Sequence, residues 1–254
     1  MFRATSPLIA LLIGSAIVLP ASADDFFLPG MSPMEISQPF YARESARIWG
    51  LSLEASQARN RSNAASSTKP VNRSSANRTN SGAGIDLSYQ PSTAVKQQVV
   101  REYIERLRRK NPTAADQVAA QLRQYDFDEI YTNIVQPFGL SSNNVADVFT
   151  AYLVLNWMIA NQASDPSRQA VTVERDRTAA TFSKNPSLRD PQARQKLGEE
   201  VKLLFVTLHS GWKTAQREGQ LSEYSDGVAA LFRQQSGADP RRIVLTSNGF
   251  EPRR

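Results

Sequence analysis

Apolar residues recur every three or four positions through most of the chain after residue 90, which is the pattern of amphipathic helices. Ser92 is placed to cap the first helix, and Asn111-Pro112 ends it and starts the next. The apolar stripe of this first helix consists of Val95, Val99, Val100, Tyr103, Ile104 and Leu107. The same spacing predicts shorter helices over residues 114–124 and 128–135, closed by the sequence Pro137-Phe138-Gly139.

The most apolar segment of the second half predicts a long helix over residues 144–161. One face carries Val148, Phe149 and Tyr152, while further aliphatic residues cover most of the remaining surface. A helix that is apolar nearly all round is typical of the centre of a bundle.

Two Asp-Pro pairs, at residues 165–166 and 190–191, predict the starts of two further helices that run to about residues 184 and 217. A last helix is expected over residues 222–235, where Ser236-Gly237 ends it. Residues 243–246 are predicted to form a short extended segment or a terminal packing strand, and a single strand cannot make a sheet by itself. The sequence therefore predicts an all-α bundle of six or seven helices over residues 85–254.

The N-terminal third differs in composition from this helical domain. Residues 1–23 combine Arg3, an apolar run too short to cross a bilayer and Ala21-Ser22-Ala23, which predicts a secretory signal peptide cleaved before Asp24. Residues 24–51 mix aromatic residues and prolines and are expected to pack onto the domain or onto a partner. Residues 52–84 are rich in Ser, Asn and Arg, which predicts a disordered linker: a solvated spacer or a weak tether to an anionic polymer.

The composition excludes several kinds of catalytic and metal-binding site. The 254 residues contain no cysteine and one histidine, which excludes disulfides, cysteine nucleophiles, thiolate metal sites and multi-histidine metal sites. His209 lies between Leu208 and Trp212 on a predicted helix and is expected to be a packing residue rather than a catalytic base. No glycine-rich phosphate loop is followed by a strand-to-helix turn, so no cofactor is expected.

The charge favours an acidic partner. The net charge is +6 and the pI is about 9.7, but the cations are spread along the chain and export is expected. We therefore expect an anionic envelope polymer or another exported protein as partner, rather than nucleic acid. No later segment is apolar and long enough to predict a membrane span.

Carboxylates are the remaining candidates for catalysis. Asp126, Asp128 and Glu129 are the densest group, and two carboxylates about 5–9 Å apart can hydrolyse a glycosidic bond. Their position at a predicted helix start favours a capping role instead. Glu174 and Asp176 alternate with arginines, which is typical of a solvated charged face.

A polar pocket on the central helix is the main candidate binding site. Polar groups on an otherwise apolar helix must be hydrogen-bonded inside the bundle or must face a cleft. In the second case, Tyr152 and Trp157 would offer stacking surfaces for a sugar or peptide. The candidate ligand-binding residues are Asn144, Asp147, Tyr152, Asn156 and Trp157.

Several short motifs resemble the DUF6683 family of exported bacterial proteins of unknown function, over about residues 85–251. They are Leu87 to Ser92, Pro137 to Leu140, Asn144 to Asp147 with Trp157 downstream, and Leu245 to Phe250. The resemblance implies a location in the bacterial envelope or outside the cell, and it transfers no activity, ligand or catalytic residue.

Together these observations favour a non-enzymatic exported domain that binds an envelope polymer or another protein. One alternative is a carboxylate-dependent hydrolase of cell-wall glycan or polysaccharide. The other is a carrier of a small ligand, which would need an apolar cavity beside Trp157.

Overall fold

The computed structural model describes residues 86–253 and contains seven α-helices in that range. The helices are α1 (Thr93–Arg108), α2 (Pro112–Gln124), α3 (Phe127–Val135), α4 (Val145–Asn161), α5 (Arg168–Phe182), α6 (Pro191–Arg217) and α7 (Leu221–Ser236). Strands β1 (Ile243–Thr246) and β2 (Gly249–Pro252) form one hairpin. The prediction of an all-α bundle of six or seven helices is confirmed. The predicted signal peptide, aromatic segment and linker (1–23, 24–51 and 52–84) lie outside the described residues.

Helix α4 is the centre of the bundle, as its all-round apolar sequence predicts. Every residue from Val145 to Ala160 is buried, and the helix packs against α5, α6 and α7. The side chain of Asn144 caps it by accepting hydrogen bonds from the backbone N–H groups of Ala146 (3.0 Å) and Asp147 (3.3 Å). Within residues 86–253, no helix is both long enough and apolar enough to cross a bilayer.

The predicted start of α5 is wrong by two residues. The helix begins at Arg168, and Ser167 caps it by accepting a hydrogen bond from Ala170 N at 3.2 Å. Asp165 and Pro166 precede the helix, because serine is as good a cap as aspartate and stands nearer to the first helical residue. Asp190 does cap α6, accepting a hydrogen bond from Gln192 N at 3.0 Å.

The C-terminal segment is extended over Ile243–Thr246, as predicted, and it pairs with a second strand that was not predicted. It forms an antiparallel hairpin in which Ile243 pairs with Pro252 and Thr246 pairs with Gly249. The hairpin lies against α4 and α5: Trp157 Nε1 donates to Ile243 O at 3.1 Å, and the Phe250 ring packs edge-on against the indole, with 6.0 Å between centroids.

Glu174 is a second correction, because it is buried rather than on a solvated face. Its side chain is 2% exposed, and Oε2 accepts a hydrogen bond from Phe250 N at 3.1 Å. Burial raises the pKa of Glu174, although the hydrogen bond from Phe250 and the charge of Arg177 oppose that change. The alternation of charge along α5 could not reveal this, since the hairpin that covers Glu174 comes from 76 residues further along the chain.

We expect an alanine substitution to destabilise the protein more at Gly249 than at Gly237, a glycine with a similar positive φ. Gly249 adopts φ +87°, and an added Cβ would lie 2.6 Å from Arg177 Nη1 and 2.8 Å from Glu174 Oε2. We expect Gly249→Ala to cost about 2 kcal/mol more than Gly237→Ala in urea unfolding, because it disturbs a buried hydrogen bond. Gly237 is the control: it adopts φ +70° with nothing within 4 Å of an added Cβ. Equal losses for the two variants would contradict the docking of the hairpin on α5.

Candidate functional site

The predicted binding residues at the start of α4 serve the local structure. Asn144 is the helix cap described above. Asp147 is buried, accepts a hydrogen bond from Ser141 N at 2.8 Å and forms an ion pair with Arg175 Nε at 2.6 Å. The Asn144 side chain therefore fixes the first turn of α4, and the Asp147 side chain ties the loop before α4 and helix α5 to the central helix.

The other three predicted residues point to different neighbours. The hydroxyl group of Tyr152 donates to Gln235 on α7 at 3.4 Å, and Trp157 contacts the hairpin. Asn156 is fully buried; its amide donates to Tyr152 O at 2.7 Å, while its Oδ1 has no hydrogen-bond partner among residues 86–253. In the described part of the chain, the five predicted residues line neither of the two openings described below.

Two of the three predicted catalytic acids form ion pairs with lysines. Asp126 caps α3 through Asp128 N (2.8 Å) and forms an ion pair with Lys96 at 2.5 Å. Asp128 forms ion pairs with Lys96 at 2.8 Å and with Lys202, while Glu129 is exposed. Burial opposes the ionisation of Asp126, but the hydrogen bonds from Lys96 and Asp128 N outweigh it and lower the pKa. An acid with a lowered pKa is poorly suited to hold the proton that a glycosidase needs.

These pairs continue into the bundle as a buried ion cluster, which comprises Lys96, Asp126, Asp128, Glu199 and Lys202. Lys202 is 1% exposed, and its Nζ is 3.0 Å from Glu199 Oε1. Burial raises the pKa of Glu199, against the opposing charge of Lys202. The cluster joins α1, α3 and α6. Sequence analysis missed it, although Lys202 is the one charged residue in the apolar run from Val201 to Leu208.

An open groove lies beside the exposed end of this cluster, between α1 and the α2–α3 junction. This α1–α2 groove has a volume of about 620 Å³. Its lining includes Lys96, Gln97, Arg101, Arg123, Gln124 and Tyr125. Arg101 and Arg123 are exposed, and neither has an ion-pair partner among residues 86–253. Val100 and Leu122 add half-buried apolar surface to the same groove.

A second opening is almost entirely apolar. This α4–α6 cavity, about 70 Å³, is lined mainly by residues of α3, α4 and α6. His209 lies at one side, with its ring parallel to Phe205 (6.3 Å between centroids) and edge-on to Trp212 (5.8 Å). Trp212 also lines the cavity, and its Nε1 is buried without a hydrogen-bond partner in the part of the chain that the structure describes. Among the described residues, no cluster of histidine and acidic side chains is arranged to hold a metal ion.

Comparison with known proteins identifies a family but no activity. The model of the DUF6683 family, a family of unknown function, matches residues 36–253. This match confirms the resemblance and extends it to residues 36–84, which precede the helical domain. Neither a curated protein nor a solved structure matches the chain.

Proposed function

The chain belongs to the DUF6683 family of unknown function, and from that premise we propose that it is an exported, non-enzymatic domain that binds an anionic envelope polymer. The α1–α2 groove is the binding surface in this proposal. The observation that carries it is the pair Arg101 and Arg123, two cations without ion-pair partners in the described residues that line one open groove.

The charges of the groove favour an anionic ligand. Lys96 also lines the groove, but Asp126 and Asp128 already neutralise it. Arg101 and Arg123 therefore remain available to a ligand. A guanidinium group can bind a carboxylate or phosphate through two parallel hydrogen bonds, which makes arginine well suited to acidic groups.

The rest of the lining favours a glycan-like polymer. The Gln97 and Gln124 side chains offer amide donors and acceptors, and Tyr125 offers an aromatic surface. A volume of about 620 Å³ lies within the range of about 300–1,000 Å³ that is usual for small-molecule sites. Acidic groups on a sugar backbone would match this mixture of cations, amides and an aromatic ring.

Export is part of the proposal and rests on the sequence of residues 1–23. The basic residues of 52–84 would add a weak, salt-sensitive attraction to the same polymer. Groove binding is separable from this contribution, since substitutions in α1 and α2 leave the basic linker unchanged.

Charge reversal in the groove is the direct test. We expect the mature chain, residues 24–254, to sediment with purified cell-wall sacculi, and Arg101→Glu/Arg123→Glu to raise the apparent Kd at least tenfold. The physical reason is that two attractive contacts to an acidic ligand become repulsive. The measurement is the bound fraction across a series of salt concentrations.

The control is Lys184→Glu/Arg189→Glu, which changes the net charge equally at exposed positions outside the groove. Equal weakening by both double variants would show that only net charge matters and would reject the groove. Release of soluble fragments from the sacculi would instead support the hydrolase. Asp126→Asn would then be examined first, because Asp126 is the predicted acid that lines the groove.

A further inference from the structure

The lining of the α4–α6 cavity favours an apolar occupant. Its walls are aliphatic and aromatic side chains, including Val154, Met158 and Phe205. Phe138, Leu140 and Trp212 line it while remaining only partly buried. Partly exposed apolar side chains that surround a cavity are typical of a docking surface rather than of a finished core. This surface shares no lining residue with the α1–α2 groove.

The size of the cavity favours one side chain over a free ligand. A dry cavity of about 150 Å³ accepts benzene, and this one is about half as large. It therefore accommodates one aliphatic side chain or the edge of one aromatic ring, with neighbouring residues of the occupant covering the rim. A free ligand of that size would contribute few contacts and would bind weakly.

The chain's own N-terminal segment begins close to this surface. Leu87 O accepts a hydrogen bond from Val145 N at 3.0 Å, so the described chain starts beside the first residue of α4. The cavity-lining residues Ala151 to Met158 are on the same helix. At 1.5 Å per residue, they lie about 10–20 Å further along the helix axis.

The preceding sequence has the reach and the composition that the cavity requires. For a flexible linker of the length of residues 52–84, the expected end-to-end distance is about 30 Å. The attached segment would then be present at an effective concentration of about a millimolar, so a weak contact would suffice. Residues 36–51 include Phe40, Tyr41, Ile48 and Trp49, and the family match begins at residue 36.

We propose that residues 36–51 of this chain dock over the α4–α6 cavity, with one apolar side chain inside it. The segment that precedes the linker thus closes the apolar surface of its own helical domain. The proposal is independent of the polymer-binding groove.

Disulfide trapping tests the docking in the mature chain. The natural sequence has no cysteine, so Gly50→Cys/Asp165→Cys can form only the engineered bond within one molecule. Asp165 lines the cavity and is exposed. We expect this pair to oxidise at least tenfold faster at low protein concentration than Gly50→Cys/Lys184→Cys, in which the second cysteine lies at an exposed site after α5. Equal rates, or bonds formed mainly between molecules, would overturn the proposal.

The single histidine supplies a second readout that needs no cysteine. His209 lines the cavity, so the Cε1–H of its ring gives one NMR signal that reports on the occupant. We expect Phe40→Ser/Tyr41→Ser/Trp49→Ser to shift this signal, whereas Phe26→Ser/Phe27→Ser, which lies before the family match, should leave it in place. An unchanged signal in the triple variant would also overturn the proposal.

Discussion

Lys202→Met is expected to lower the free energy of unfolding by about 3–5 kcal/mol, because it removes the cation that pairs with Glu199 and one of the two lysines that pair with Asp128 in the buried ion cluster. Glu199 is 1% exposed and Asp128 is partly buried, so neither can recover full hydration after the change. Methionine keeps most of the volume of the lysine side chain, which makes lost charge rather than a cavity the main cause. The measurement is urea unfolding followed by circular dichroism.

A double variant separates the effect of lost charge on stability from the effect of lost packing. Lys202→Met/Glu199→Gln leaves one fewer uncompensated carboxylate, so it should recover part of the loss caused by Lys202→Met alone. Lys184→Met is the surface control and should change stability by less than about 0.5 kcal/mol, since Lys184 is exposed. If Lys202→Met were equally mild, the cluster would not contribute to holding α1, α3 and α6 together.

The fold was predictable because its main signals are local. The apolar surface of α4 and the Asp190 cap of α6 can be identified from residues within one or two turns of each other. Positions three or four residues apart share a helix face whatever the rest of the chain does. The number and order of the helices follow from such signals.

The contacts between distant segments were not predictable in the same way. Glu174 has the sequence context of a surface residue, yet a hairpin 76 residues away covers it. Lys202 and Asp128 are separated by 74 residues, and neither position alone indicates an ion pair. The sequence shows only that Lys202 interrupts an apolar run, which signals a buried charge without naming its partner.

The candidate sites were also difficult to predict, because they depend on contacts between distant segments. Asn144, Asp147 and Trp157 are close in sequence on α4, but a helix directs such residues to different sides. The structure accordingly places Asp147 against α5 and Trp157 against the hairpin, while Asn144 caps α4 itself. Arg101 and Arg123 come from two helices and line one groove, although nothing in the spacing of either helix indicates it. Grouping candidate residues by nearness in sequence therefore selected structural contacts instead of a shared surface.

Glu200→Gln should stabilise the protein at alkaline pH and have little effect at acid pH. Glu200 is 1% exposed, its Oε2 has no hydrogen-bond partner among residues 86–253, and burial raises its pKa from 4.5 to about 8. The folded state binds the proton of the Glu200 carboxyl group more tightly than the unfolded state does. The stability that this protonated carboxyl group contributes is therefore complete below about pH 4.5 and is lost as the pH rises to about 8. Urea unfolding of both proteins across this range measures the effect.

Glutamine cannot ionise, so the difference in unfolding free energy between variant and wild type should grow by about 1.4 kcal/mol per pH unit within that window. Above the window it should level off near an upper limit of about 5 kcal/mol. Comparing the two proteins at each pH cancels the contributions of Glu174 and Glu199, whose pKa values burial also raises. Glu105→Gln, at an exposed position on α1, is the control and should show no such slope. A pH-independent difference for Glu200→Gln would mean that the Glu200 carboxyl group does not keep its proton in the folded protein at neutral pH.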